Sequence, residues 1–180
     1  MLQLRIALEG VESAIWRRLL VPSGVPLARL SEIFRVAMGW TNSHLHAFTI
    51  GEQQYGMGDD DNDFPEGELD EDKFTVRAAI EDERQFRYEY DFGDGWEHQV
   101  VVEEEVITAP LELTSAVCLD GERSCPLEDC GGSHGYAHLL ELVSDPGHEE
   151  HQAYMDRPTV EFDSEEFDPA ITNVLLQNLR

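Results

Sequence analysis

Basic residues are scarce. Against 38 Asp and Glu the chain carries only 12 Lys and Arg, and Lys73 is its single lysine, so the formal net charge is −26. Affinity for nucleic acid of any sequence comes from cations that neutralise phosphates. A chain this acidic repels DNA and RNA unless a local basic patch reverses the field. The one visible basic cluster, Arg17-Arg18, falls in an extended segment that sends its side chains to opposite faces. Direct nucleic-acid binding is therefore disfavoured, and the expected partner is a protein.

Long apolar runs are missing too. None approaches the roughly 18 residues of a membrane helix. The opening MLQLRIALEG alternates apolar and polar residues and lacks the basic-then-apolar plan of a secretory leader. The expectation is a cytoplasmic chain with no membrane partner. Cysteine is sparse as well: three residues, all between positions 118 and 130. An odd count in the cytoplasm argues against a disulfide framework and leaves metal ligation or reduced thiols. The phosphate-cradling patterns G-x-x-x-x-G-K-[ST] and G-x-G-x-x-G are absent, so nucleotide-dependent chemistry has no support. An α/β-hydrolase reading is set aside with it.

What is present reads as one domain over residues 1–180, long enough for a single well-buried core. Leu2, Leu4, Ile6 and Leu8 alternate as a half-buried strand, and Ile15 to Val21 reads as its hairpin partner. Leu27, Leu30, Ile33, Phe34, Ala37 and Met38 fall on one helical stripe that Gly39 ends. A third strand spans His44 to Ile50. Residues 58–72 are mostly acidic, with few apolar side chains, and read as a solvated loop. Asp59, Asp61 and Asp63 have calcium-loop spacing, but Phe64 replaces the turn glycine and Asp70 the final Glu, which disfavours calcium. Phe86, Tyr88, Tyr90 and Phe92 alternate on a strand, Gly93-Asp94-Gly95 is a turn, and Trp96 to Ile107 reads as the returning strand. A loop from Thr108 to Gly132 holds the cysteines. Three helices follow: one on Tyr136, Leu139, Leu140 and Val143, one opened by Asp145-Pro146, and one opened by Asp168-Pro169 with Ile171, Val174, Leu175 and Leu179 inward. The order predicts an α+β fold, a mostly antiparallel or mixed sheet with helices packed against it.

Three stretches, IWRRLLVPSGVPLARLSEIFRVAMGWTNSHLHAF (15–48), YEYDFGDGWEHQVVVE (88–103) and CLDGERSCPLEDCGGSHGY (118–136), together resemble the plasmid pRiA4b ORF-3-like family. The resemblance implies an α+β fold and an association with plasmids and mobile elements, and it implies no particular substrate. A resolvase label attached to some members finds no physical footing here, because neither an activated serine among arginines nor a basic DNA-binding region is visible.

Two candidate sites emerge. Cys118-x6-Cys125-x4-Cys130, with His134 four residues on, offers the sulfur and nitrogen donors that tetrahedral zinc takes, and His98 is an alternative fourth ligand. The spacing is not the short knuckle of common zinc folds. Acidic neighbours Glu128 and Asp129 disfavour a thiolate there. In YDFGDGWEH, the residues Asp91, Asp94 and His98 are candidates for acid–base or metal-assisted hydrolytic chemistry, set against a hairpin reading in which Asp94-Gly95 merely turns the chain. His44 and His46 share a strand face and could share a metal. His148 and His151 are i, i+3 rather than the i, i+4 of a zinc-protease helix, and read as exposed. The preferred function is a binding or accessory module linked to mobile elements. The alternative is a metal-dependent hydrolytic enzyme.

Overall fold

The computed structural model describes residues 1–41, 43–58, 63–106, 115–155 and 162–179. In chain order the elements are β1 (Leu2–Leu8), β2 (Trp16–Val21), α1 (Leu27–Met38), β3 (His46–Ile50), β4 (Gln53–Gly56), β5 (Glu68–Asp70), a 3₁₀ turn (Glu71–Lys73), α2 (Val76–Ile80), β6 (Gln85–Tyr90), β7 (Trp96–Glu105), β8 (Val117–Glu122), α3 (Gly132–Ser144), α4 (His151–Met155) and α5 (Pro169–Asn178). The strands form one mixed sheet in the order β5-β4-β3-β6-β7-β1-β2-β8. Its described pairs are antiparallel except β4 with β5. This is the expected α+β architecture.

The alternation in β1 sets the layers. Leu2, Leu4, Ile6 and Leu8 are buried while the residues between them are only partly covered. The helical stripe of α1 meets that inner face: Phe34 packs edge-on to Tyr88 of β6 at 5.3 Å and against Phe48 of β3 at 6.4 Å. Gly39 ends α1 with φ +96°, a conformation a side chain would resist. Arg17 and Arg18 point to opposite faces as their alternation requires. Arg17 is 2 % exposed, while Arg18 pairs with Glu103 on the outer face.

Four expectations differ from the structure. The stretch 58–72 is not solvated throughout: Glu68–Asp70 pairs with β4, and Glu71 is buried against His46. The Asp59-Asp61-Asp63 spacing falls largely on residues 59–62, outside the described residues. The cysteine loop contains an edge strand, β8, too short for its alternation to stand out, and it buries Cys118 rather than Leu119. Pro146 opens no helix, and α4 begins only at His151. In α5 the inward face is Thr172 and Leu176, whereas Ile171, Val174 and Leu175 are exposed. The cause is Asn173. Its amide accepts the Cys118 N–H at 2.7 Å and donates to the Cys118 carbonyl at 2.8 Å, which docks that side of the helix on β8 and turns the larger apolar stripe outward.

Candidate functional site

The three motif stretches, far apart in sequence, meet at one end of the sheet. Trp40, just past α1, stacks on Tyr90 at 5.0 Å and on Trp96 at 6.0 Å. Its indole N–H donates to the Pro126 carbonyl at 2.9 Å, which ties the helix end to the cysteine loop. The Tyr90 hydroxyl lies 2.6 Å from Glu128 and 2.8 Å from the Thr41 carbonyl, and Thr41 donates to the other oxygen of Glu128 at 2.7 Å. One O–H cannot serve two acceptors fully, and the shorter, charged bond to the carboxylate takes the larger share. Burial, reinforced by Glu128, pushes the Tyr90 phenol upward, so it stays a donor. Burial pulls Glu128 toward the neutral form, but the Tyr90 and Thr41 bonds outweigh it and hold the carboxyl below its usual range.

Asp91, Asp94 and His98 do not converge. Asp91 adopts φ +57°, and its Oδ1 accepts the N–H groups of Gly93 and Asp94. This is the local side-chain cap that lets an Asp sit in a left-handed turn. Asp94 reaches the other way and accepts the Gly131 N–H at 3.2 Å. The two loops touch so closely there that a Cβ at Gly132, which has φ +66°, would stand 2.5 Å from the Asp94 carbonyl. His98 points into the core. Its Nδ1 donates to the Tyr88 carbonyl at 3.1 Å, and its Nε2 is buried without a hydrogen-bond partner. Burial lowers its pKa from 6.5 to about 4, because protonation would put an unpaired cation in the core. These three residues therefore hold the hairpin and its neighbour together, and the set expected for hydrolysis is not assembled.

The cysteines are also dispersed. Cys118 lies in β8, Cys125 sits beneath the loop beside the Arg17 guanidinium at 3.9 Å, and Cys130 is partly exposed just before α3. His134 is exposed on the first turn of α3. Among the described residues, no three of Cys118, Cys125, Cys130, His134 and His98 bring donor atoms within 4.8 Å of one another. Burial raises all three thiols, Cys125 to about 12 and Cys130 to about 11. The direction agrees with the expectation from acidic neighbours. The larger cause is desolvation, with Asp94 and Asp129 adding to it at Cys130.

Arg17 is the residue the sequence concealed. Its guanidinium, buried in the core, donates to the carbonyls of Ala37, Trp16, Glu122 and Arg123, and the Phe167 ring lies 3.8 Å from it. Its alternation away from Arg18 was the only hint. One spacing the sequence reading passes over is Gly131-Gly132-Ser133-His134-Gly135, which satisfies G-x-S-x-G. The structure excludes a nucleophile elbow. Ser133 lies inside the first turn of α3 with ordinary backbone angles, and no strand leads directly into that helix.

The histidines separate. His46 pairs with Glu71 at 2.9 Å inside the fold. His44 instead lies between Asp91, 3.5 Å from Nδ1, and Asp129, 3.4 Å from Nε2. Donor atoms of His44, Asp91 and Asp129 all lie within 4.8 Å of one another, which makes this the described group able to hold a metal. His148 lies in the turn before α4, and His151 donates to the Leu142 carbonyl, so they do not share a helical face. Among the described residues no helix is long and apolar enough to cross a membrane.

The chain resembles other proteins in sequence and in fold. The chain is 38% identical over 152 residues to "Uncharacterized protein y4hQ" of Sinorhizobium fredii, covering 83% of this chain and 76% of that protein. It is similar to a solved structure described as a protein of unknown function, MM3350, from Methanosarcina mazei Go1. That match has a TM-score of 0.82 and 28% identity and covers 94% of this chain and 96% of the other. The family described as "Plasmid pRiA4b ORF-3-like protein" matches residues 1–171. A match of that extent shows that the chain belongs to the plasmid pRiA4b ORF-3-like protein family.

Proposed function

We propose that the chain is a cytoplasmic binding module, an accessory protein of plasmids and other mobile elements, that docks an arginine-bearing segment of a basic protein partner. The observation that carries this reading is a cleft of ≈ 700 Å³ whose lining combines Leu45, Met57, Phe64 and Phe92 with Asp63 and Glu68. Leu45, Met57 and Phe92 are 45–56% exposed there, although large apolar side chains are usually withdrawn from water. Phe64 supplies a second aromatic side chain, and His46 and Glu68 also line the cleft. Burial raises the Glu68 carboxyl, and the nearby Glu71 raises it further, so a guanidinium entering the cleft would meet a carboxylate that gains from a cation. Phenyl walls suit the flat face of the same group. A net charge of −26 adds long-range attraction for a basic partner and repulsion of nucleic acid.

Tyr90, Asp94 and Glu128 support binding over catalysis, because they are committed to ties between the motif stretches. The test is a fluorescence-polarisation titration with a labelled peptide of alternating Arg and Leu, against one with Gln in place of Arg. At physiological salt the Arg peptide binds wild type at least tenfold more tightly than the Leu45→Ser/Phe92→Ser variant, and the Gln peptide does not bind. Equal affinity for wild type and variant would place the attraction on the acidic surface at large and overturn the reading.

A further inference from the structure

We propose that His44, Asp91 and Asp129 form a binding site for one divalent first-row transition ion of the zinc class, separate from the cysteines and from the apolar cleft. The three donors come from three segments: the chain entering β3, the turn between β6 and β7, and the loop before α3. Their ligand atoms lie within 4.8 Å of one another, so an ion bonded at about 2.0–2.2 Å to each fits with small side-chain movement.

The independent observation is His44 Nε2, a buried ring nitrogen with no hydrogen-bond partner, beside an Asp91 carboxylate that is only half engaged. The Asp91 side chain is 9% exposed, and only Oδ1 is engaged, by the Gly93 and Asp94 N–H groups. No hydrogen bond reaches Oδ2 among the described residues, and that oxygen faces His44 at 3.5 Å. Neither contact of His44 is a good hydrogen bond, and its Nε2 is buried without a partner despite lying 3.4 Å from Asp129. A neutral imidazole has one N–H and cannot satisfy carboxylates on both sides. A divalent ion satisfies the set by taking one imidazole nitrogen and two carboxylate oxygens.

The donor chemistry selects the ion. Two carboxylates and an imidazole suit zinc, manganese or cobalt. Calcium takes six to eight oxygens, and copper(I) prefers sulfur. Three protein ligands leave a position open to water. Asp129, with a side chain 79% exposed, opens the site to solvent.

The test is calorimetric. Protein stripped with a chelator is titrated with zinc in physiological salt and excess magnesium, which quenches weak binding to surface carboxylates. Wild type takes up about one zinc per chain. His44→Gln and Asp129→Asn, both checked for folding by circular dichroism, each bind at least tenfold more weakly, while Cys130→Ser binds as wild type does. Cobalt in place of zinc gives a d–d spectrum without a thiolate charge-transfer band. Absence of stoichiometric zinc in wild type, unchanged affinity in both site variants, or a thiolate band with cobalt would overturn the site.

Discussion

Tyr90 and Glu128, 38 residues apart, are joined by a 2.6 Å hydrogen bond that links the β6–β7 hairpin to the cysteine loop. Thr41 completes the link by bonding the second carboxylate oxygen. The bond is charge-assisted and partly buried, and Tyr90 also stacks on Trp40. Tyr90→Phe keeps the stacking and removes only the hydroxyl. The expected loss is about 1–3 kcal/mol, since a partly buried carboxylate loses a donor. Urea unfolding of wild type, Tyr90→Phe, Glu128→Gln and the double variant checks it. Additive losses would contradict a direct bond.

Arg17 donates to four backbone carbonyls drawn from β2, the end of α1 and the end of β8. Lysine at that position carries the charge on a single ammonium and cannot span all four. Arg17→Lys is expected to cost at least about 2 kcal/mol, and Arg17→Met more, because buried carbonyls are left unpaired. Denaturant midpoints measure both. A neutral Arg17→Lys would mean that the carbonyls find water instead.

His98 makes stability depend on pH. Its folded pKa, about 4, lies below the 6.5 expected when the chain is unfolded, so the unfolded state binds the extra proton first. The contribution is complete above pH 6.5 and is lost as pH falls from there toward 4. The expected change from this residue is about 3 kcal/mol across that window. Unfolding free energies of wild type and His98→Phe, compared between pH 7 and pH 4, should differ in slope, with the variant flatter. Parallel pH profiles would remove His98 as the cause.

The thiols should be slow to react. Cys125 and Cys130, with pKa values raised to about 12 and about 11, are protonated at pH 8, and Cys118 is buried. A thiol reagent at pH 8 is expected to modify Cys130 first and slowly, and Cys118 and Cys125 only on unfolding. Treatment with a chelator should leave these rates unchanged, because the sulfurs are not gathered around a metal. Three fast thiols, or rates that rise on chelation, would contradict the placement.

Much of the architecture is local and therefore legible in the chain. Alternation marks β1, β2, β6 and β7, the stripe with Gly39 marks α1, and Asp168-Pro169 caps α5 through the Asp168 carboxylate and the Ala170 N–H. Each depends on a few neighbouring residues and on fixed periods. The opposite directions of Arg17 and Arg18 follow from the same period. Composition sets the acidity without reference to any fold.

The site belongs to tertiary structure. Periodicity cannot reveal that Asn173 grips the backbone of Cys118, and that grip turns Ile171, Val174 and Leu175 outward. Nor can it separate His44 from His46, two residues apart, when one meets Asp91 and Asp129 and the other Glu71. Cysteine spacing suggested a cluster because proximity in sequence resembles proximity in space. The sheet pulls Cys118 onto an edge strand, and Arg17 takes the loop at Cys125, so the sulfurs part. Local periodicity determined the principal strands and α1, and composition the charge. Long-range hydrogen bonds and burial decided which polar groups meet, because a buried group must find its partner wherever the fold supplies one.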